Sequence, residues 1–366
     1  MRIAIDGHSI GTKTGGNEVY TENLITYLSK IDKRNEYIIY INPDINLNLP
    51  GNFKIKKIPT KNRYLRQLYL FRLLKNDSPD IYHSQYFLPL LCPCNSVITV
   101  HDVSFIGHPE WWTTKERFIF SFLNNSIKNA EKIIAVSNWT KMEIIRHFNI
   151  DENKISVIYN GVCEVFNPDI DKALIYRIKS RYSLPDKYIV YVGRFNVRKN
   201  ISTLIKAFSI FKGYHKNDIK LVLVGKEEWK TEDITRLIYK LNLQNEVIST
   251  GYIPNSDLPV IYNSAKIFVF PSLYEGFGLP PLEAMASGVP TITSDIPIFS
   301  ELFGNVTINV PPLDINEMAK AMEKLIIDTS FREDLIQKGL EIAKKFKWDK
   351  TAEETIELYK DIIRDT

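Results

Sequence analysis

Cysteine is scarce: the chain of 366 residues has three, Cys92, Cys94 and Cys163. So small and odd a number excludes a disulfide scaffold, and Cys92 and Cys94, separated only by Pro93, lack the spacing of zinc ligands. All three are expected to be reduced and mostly in the core. A surplus of charge of one sign is missing as well. Forty-seven Lys and Arg oppose forty-three Asp and Glu, a net +4, which excludes a basic field over the whole protein and with it an expected nucleic-acid partner. Long apolar runs are absent. The longest stretch without a formal charge, Ile81 to Val100, is broken by His83, Gln85, Pro89, Pro93 and Asn95 and makes a poor transmembrane helix. The opening MRIAIDGHSI has an acid at position six and no apolar region of signal-peptide length. A cytoplasmic protein is expected, or one attached peripherally to the cytoplasmic face of a membrane. No repeat of solenoid period and no low-complexity segment occurs.

What is present is an alternation of short apolar, β-branched runs with helical patterns. Candidate strands are residues 2–5, 37–41, 81–83, 96–100, 132–136 and 154–158, then 188–192, 220–224, 247–250, 266–270, 290–293 and 307–310. Helical patterns lie between them, among them residues 17–28, 115–129, 201–211, 232–241, 280–287 and 315–327. Continuous apolar strands alternating with helices imply parallel sheets covered on both faces, connected right-handedly. The expectation is an α/β protein of two doubly wound, Rossmann-like domains, residues 1–165 and 183–347. The polar, turn-rich stretch NGVCEVFNPDIDKA marks the boundary. A last amphipathic helical segment, 348–366, follows the final strand.

In such sheets ligands bind at the carboxyl ends of strands, so the loops just after strands carry the chemistry. The first is Gly11-Thr-Lys-Thr-Gly15-Gly16, before a helix starting near Asn17. Adjacent glycines let the backbone approach a ligand and the helix start offers N–H groups to an anion, although a plain βα loop explains it equally well. It is neither a Walker loop nor GxGxxG. The second is His101-Asp102, where an imidazole at a strand end can reach a ligand; the alternative is a histidine satisfied by nearby backbone. His83, at another strand end, is a weaker case of the same kind. The third is Gly193-Arg-Phe-Asn-Val-Arg-Lys199, before a helix that Asn200 can cap. Arg194 and Lys199 there suit a pyrophosphate, against solvated loop charges as the alternative. The fourth, PSLYEGFGLPPLEA, is the most specific. Glu275 lies in a glycine-rich turn, Pro280 and Pro281 open a helix, and Glu283 lies about one turn in. Its two carboxylates can accept hydrogen bonds from sugar hydroxyls, while Gly276, Phe277, Gly278 and Leu279 turn amides toward a ligand. Asp169-Ile-Asp171 has the form of a DxD metal motif but sits in the polar stretch between domains, and no metal is expected there.

Together these segments resemble the retaining glycosyltransferases of family 4, with the GT-B fold. EGFGLPPLE matches that family's E-x7-E motif, YVGRFNVRKN its phosphate loop, AVSNWTKMEI its end-of-domain helix and VIYNGV the strand entering the linker. VHDVSF, HSQYFLPL and IDGHSIGTKTGGNEVYTENL are similar to members that transfer mannose or related sugars in polysaccharide assembly. The resemblance implies two parallel sheets facing a central cleft, with the 348–366 helix returning to the first domain. It also implies a nucleotide-sugar donor, GDP-mannose as first choice, a glycan or lipid-linked acceptor, and no cofactor or metal. Arg194 and Lys199 would bind the donor diphosphate and Gly15–Gly16 would reach it from the first domain. Glu275 and the amides of 276–279 would hold sugar hydroxyls, Glu283 the ribose, and His101 would sit beside the transferred sugar. Catalysis is thereby assigned to His101, Glu275, Arg194 and Lys199, with Asn17, Glu18 and Asp102 as acceptor-side candidates. Where many members carry an arginine in the glycine loop, this chain has Val19, which leaves Glu18 as the side chain to test there. The family's reaction is front-face substitution with retention. Alternatives on the same fold are a nucleotide-sugar epimerase, a phosphorylase, or a non-catalytic nucleotide-sugar-binding subunit.

Residues 54–75, KIKKIPTKNRYLRQLYLFRLLK, hold eight basic side chains (Lys54, Lys56, Lys57, Lys61, Arg63, Arg66, Arg72, Lys75) and no acid. From Asn62 they predict a basic amphipathic helix able to lie on anionic lipid; an RNA contact or a solvated basic face are the alternatives.

Overall fold

Among the described residues thirteen short strands, the central ones buried along most of their length, form two parallel sheets. The computed structural model describes residues 1–13, 15–60, 62–214, 218–226 and 233–364. It divides into two compact units, Met1–Gly161 with Lys347–Thr366, and Val162–Phe346.

The first unit begins β1 (Arg2–Asp6), α1 (Gly16–Ile31), β2 (Glu36–Ile41), β3 (Phe53–Lys57), α2 (Arg63–Asp77) and β4 (Ile81–Gln85). It continues with β5 (Asn95–Val100), α3 (Ser104–Gly107), α4 (Thr114–Phe120), α5 (Leu123–Asn129), β6 (Lys132–Ala135), α6 (Asn138–Phe148) and β7 (Ile155–Val157). The sheet order is β3-β2-β1-β4-β5-β6-β7, every pair parallel. The second unit runs α7 (Lys172–Arg181), β8 (Tyr188–Val192), α8 (Ile201–Tyr214), β9 (Lys220–Val224), α9 (Ile234–Lys240), β10 (Val247–Gly251) and α10 (Leu258–Asn263). Then come β11 (Ile267–Phe270), α11 (Leu279–Ala286), β12 (Thr291–Ser294), α12 (Pro297–Phe303), β13 (Ile308–Val310), α13 (Ile315–Ile327) and α14 (Thr329–Ala343). Its sheet order is β10-β9-β8-β11-β12-β13, again parallel throughout. The chain ends in α15 (Trp348–Arg364), which belongs to the first unit and packs on α1.

Alternation along the strands decides which helices cover which face. In the first unit Ala4, Tyr40, Tyr82, Ile98 and Ile133 point to the side covered by Leu70 and Leu74 of α2, Leu123 and Ile127 of α5 and Ile144 of α6. Their neighbours face α1 and α15, where Tyr20 donates to or accepts from Thr99 Oγ1 at 2.9 Å and His83 meets the Tyr359 hydroxyl at 2.6 Å.

Four elements differ from the sequence expectation. Residues 53–57, read only as part of a basic segment, form edge strand β3, where exposed lysines on an unpaired edge are ordinary. The single helix expected over 115–129 is two, because the Ser121 hydroxyl takes the Phe118 carbonyl at 2.6 Å. The Asp169–Asp171 segment leads into α7, whose first turn Asp171 caps by accepting from the Ala173 N–H at 2.8 Å. Finally, α14 follows α13 directly, with Asp328 as its N-cap.

Candidate functional site

Two loops of the second unit meet at the carboxyl ends of β8 and β11. After β8 the chain makes a 3-10 turn at Val197–Lys199 and then a left-handed residue, Asn200, with φ 56°. The Asn200 side chain is buried. Its Nδ2 donates to the carbonyls of Pro271 (3.1 Å) and Pro312 (2.6 Å), and its Oδ1 accepts from the Thr203 hydroxyl (2.6 Å). The Leu273 N–H donates to the Arg198 carbonyl at 2.7 Å. These bonds bring Lys199 Nζ against Glu275 Oε1 in an ion pair, with the two side chains only 12% and 9% exposed. The same ammonium lies 4.8 Å from the centroid of the Phe270 ring. Arg194 is exposed, and its carbonyl accepts from the Tyr191 hydroxyl at 3.1 Å.

Gly278, at φ 109°, turns this loop into α11; a Cβ there would lie 2.7 Å from Phe299 Cε1, so conformation and space both require glycine. Pro280 and Pro281 lie in the first turn of α11 and contribute no N–H there. Glu283 is buried and accepts from the Tyr262 hydroxyl at 2.9 Å. Burial pushes its carboxyl up to about 7, against the opposing pull of that bond.

In the first unit the glycine loop follows β1. Gly15, at φ 78° and ψ −130°, is the N-cap of α1, and Gly16 opens the helix with nothing near its Cα face. Glu18 is almost fully buried and its Oε1 accepts from the Gly11 N–H at 2.8 Å, so this carboxylate fastens the loop to the helix. Asn17 enters through its main chain: its carbonyl accepts from Thr21 Oγ1 (2.9 Å) and Gln85 Nε2 (3.1 Å). His101 follows β5 and contacts Gln85 Oε1 through Nε2 at 2.8 Å. Burial holds its pKa down to about 4, although Asp102 pulls it upward. Asp102 precedes α3 and accepts from the N–H and hydroxyl of Ser104, the first residue of that helix (3.0 and 2.7 Å). His83 is a core residue held between Tyr359 and Thr99, and burial drives its pKa down to about 3.

The basic segment is corrected in part. Arg66 is not on a lipid-facing surface. It is buried, ion-paired with Asp6 at the end of β1, and bonded to the Tyr40 carbonyl and Asn42 Oδ1, both at 3.3 Å. Lys56 pairs with Asp77 and Lys54 lies 3.9 Å from Glu36. Lys57 donates to Asn46 Oδ1 at 2.8 Å, while Arg72 and Lys75 are exposed. Lys61 and the side chain of Arg63 lie outside the described residues. Cys92 and Cys94 are half-buried thiols 3.9 Å apart that pack against the core from outside, and Cys163 is likewise half-buried and in no disulfide.

Sequence reasoning missed Gln85, Tyr262 and the Asp6–Arg66 pair. Gln85 ends β4, so the strand-end rule that singled out His101 reaches it too. The partners of Tyr262 and Arg66 lie 21 and 60 positions away, a separation at which the local pattern carries no signal.

Residues 14–164 match the family model Glycosyltransferase Family 4, and residues 175–341 match Glycosyl transferases group 1. O-antigen chain mannosyltransferase B of Escherichia coli is 31% identical over 290 residues, 78% of this chain and 76% of that protein. The chain belongs to glycosyltransferase family 4. Among other family relatives, the serotype-specific mannosyltransferase WbdA of Escherichia coli is 32% identical over 277 residues; the match takes in 74% of this chain and 34% of that much longer protein. Anabaena HepE in complex with UDP-glucose superposes with a TM-score of 0.78 at 17% identity, over 99% of this chain and 100% of that one. The two units are thus the Rossmann-like domains of a GT-B glycosyltransferase. Among the described residues no helix is long and apolar enough to cross a membrane.

Proposed function

We propose that this glycosyltransferase moves mannose from a nucleotide sugar, GDP-mannose in the first instance, to a hydroxyl of a glycan or lipid-linked glycan, retaining the anomeric configuration and using no metal. The observation that carries the reading is the buried Lys199–Glu275 pair, which brings the loop after β8 and the loop after β11 to one place beside the amino end of α11. A nucleotide sugar asks for these groups: a cation and a positive helix end for the diphosphate, and a carboxylate for sugar hydroxyls. The mannosyltransferases among the relatives support mannose and polysaccharide assembly, and the UDP-glucose complex of HepE supports a nucleotide sugar on this fold.

In the reaction the bond from the anomeric carbon to the donor phosphate breaks while a bond from the acceptor oxygen forms on the same face. The acceptor proton passes to the leaving diphosphate. Lys199, Arg194 and the α11 amino end stabilise the charge that develops on that diphosphate. Glu275, paired with Lys199, accepts from sugar hydroxyls; Glu283 accepts from the ribose. The exposed basic and apolar side chains of the first unit hold the enzyme peripherally on an anionic membrane.

Lys199→Ala and Glu275→Ala are expected to abolish nearly all transfer, about 100-fold or more, with far-UV circular dichroism unchanged. A thermal-shift panel of GDP-, UDP- and ADP-sugars is expected to stabilise the wild type most with GDP-mannose. Turnover like the wild type in both variants overturns the assignment.

A further inference from the structure

His101 can meet a ligand as a hydrogen-bond donor or as an acceptor, and the atoms around it decide between the two. Gln85 Nε2 lies 3.1 Å from the Asn17 carbonyl, 3.3 Å from Ser9 Oγ and against Thr21 Oγ1. A main-chain carbonyl can only accept, so the amide must turn its NH2 that way and its Oε1 toward His101. Oε1 also can only accept. The imidazole nitrogen 2.8 Å away, Nε2, therefore carries the hydrogen. A neutral imidazole has one N–H, which leaves a lone pair on Nδ1, and Nδ1 has no hydrogen-bond partner among the described residues. The ring plane is held from both sides: Tyr20 meets it edge-on with centroids 4.8 Å apart, and Tyr86 lies tilted at 5.7 Å.

We infer that Gln85 is a positioning residue that locks His101 in the Nε2–H form and ties it to the first turn of α1, so that His101 meets its ligand through Nδ1 as an acceptor for a hydroxyl group. A phosphate, carboxylate or keto oxygen at that position would face lone pair to lone pair. The geometry thus selects a sugar carrying a hydroxyl there over one oxidised to an acid. The sugar as ligand rests on the glycosyltransferase reading given above; the tautomer does not. Burial keeps the ring neutral at physiological pH; Asp102 draws it the other way, and the other titratable groups facing it are the neutral His83 of β4 and the Tyr20 and Tyr86 rings.

The test is nitrogen NMR on the free protein, labelled with 15N-histidine, with the His101 signals assigned by their loss in His101→Asn. Long-range proton–nitrogen correlations at pH 7 are expected to show a protonated Nε2 and a bare Nδ1. Gln85→Met removes the acceptor. It is expected to give a mixture of tautomers and to lower kcat/KM for the nucleotide sugar about tenfold, the order of one lost hydrogen bond. Gln85→Glu keeps an acceptor at Nε2 but stabilises the imidazolium, so the acid limb of the kcat/KM profile should move up by about one pH unit or more. A protonated Nδ1 in the wild type overturns the inference. So does a Gln85→Met protein with unchanged tautomer, or a Gln85→Glu protein that loses melting temperature while its acid limb stays in place. If Gln85→Met does not fold, the wild-type spectrum and Gln85→Glu decide. The spectra need no turnover, so failure of the transfer reading, tested with Lys199→Ala, remains separable from failure here.

Discussion

A carboxyl group taken out of water resists ionising, and Glu283 titrates near 7 because burial outweighs the Tyr262 hydroxyl that draws it down. In the proposed function Glu283 holds the donor ribose, and the ionised carboxylate, with both oxygens accepting, holds it best. Donor affinity, read by calorimetry, is therefore expected to be flat above about pH 7 and to weaken roughly tenfold per unit below it. Stability runs the other way. The folded pKa is raised above the unfolded value, so the contribution is complete below about 4.5 and is lost as pH rises through about 7. Glu283→Gln, which stays neutral, should match the wild type at pH 4 and exceed it at pH 8 by up to about 3 kcal/mol in urea unfolding. It should also remove the pH dependence of donor binding; retention of that dependence would assign the titration elsewhere. At this scale the chemistry-bearing types were legible and their partners were not. Lys199, Glu275 and Glu283 stand out as charges beside Gly and Pro after a buried strand. That Glu18 would be spent on the Gly11 N–H, and that His83 and His101 would part into core and site, depends on atoms brought in from other elements.

Strands read well where both faces are covered, because burial removes every polar residue from the run: YIVYV and IFVF became β8 and β11 without ambiguity. Edge strand β3 has one neighbour and keeps lysines, so FKIKK looked like a charged segment. Helix α2 was legible as a helix but not in its orientation, since Arg66 in its first turn points inward. Burial alone would raise the Asp6 carboxyl, yet the charges and hydrogen bonds of His8 and Arg66 hold it well below the usual carboxylate range. The pair fixes α2 against the end of β1, at the entrance to the glycine loop. Removing one partner leaves the other buried and uncompensated. Arg66→Met is expected to cost about 3–5 kcal/mol in urea unfolding, and Asp6→Asn combined with Arg66→Met should recover a substantial part of that loss. A single variant within about 0.5 kcal/mol of the wild type would mean that Arg66 stays solvated.

At the scale of the whole molecule the net +4 conceals an uneven distribution. Without residues 54–75 the chain has 39 basic against 43 acidic residues, a net −4. The fold then reduces the basic segment itself, since Arg66 is consumed by Asp6 and Lys56 by Asp77. What remains exposed on α2 is Arg72 and Lys75, which make no ion pair among the described residues, beside exposed Leu65, Leu68 and Tyr69. The β4–β5 loop, packed on the same face of the first sheet as α2, exposes Leu90 and Leu91 as well. Apolar side chains that can enter the headgroup region, with cations beside them, are the components of interfacial binding. Each basic residue near an anionic surface contributes about 1 kcal/mol. Arg72→Gln with Lys75→Gln is therefore expected to weaken sedimentation with phosphatidylserine or phosphatidylglycerol vesicles about 30-fold at low salt, and Leu68→Ser to weaken it further. Binding to purely zwitterionic vesicles should already be weak in the wild type, and raising the salt should mimic the charge-removing variants. Equal sedimentation with neutral and anionic vesicles would remove the membrane from the account and leave α2 as a solvated basic helix.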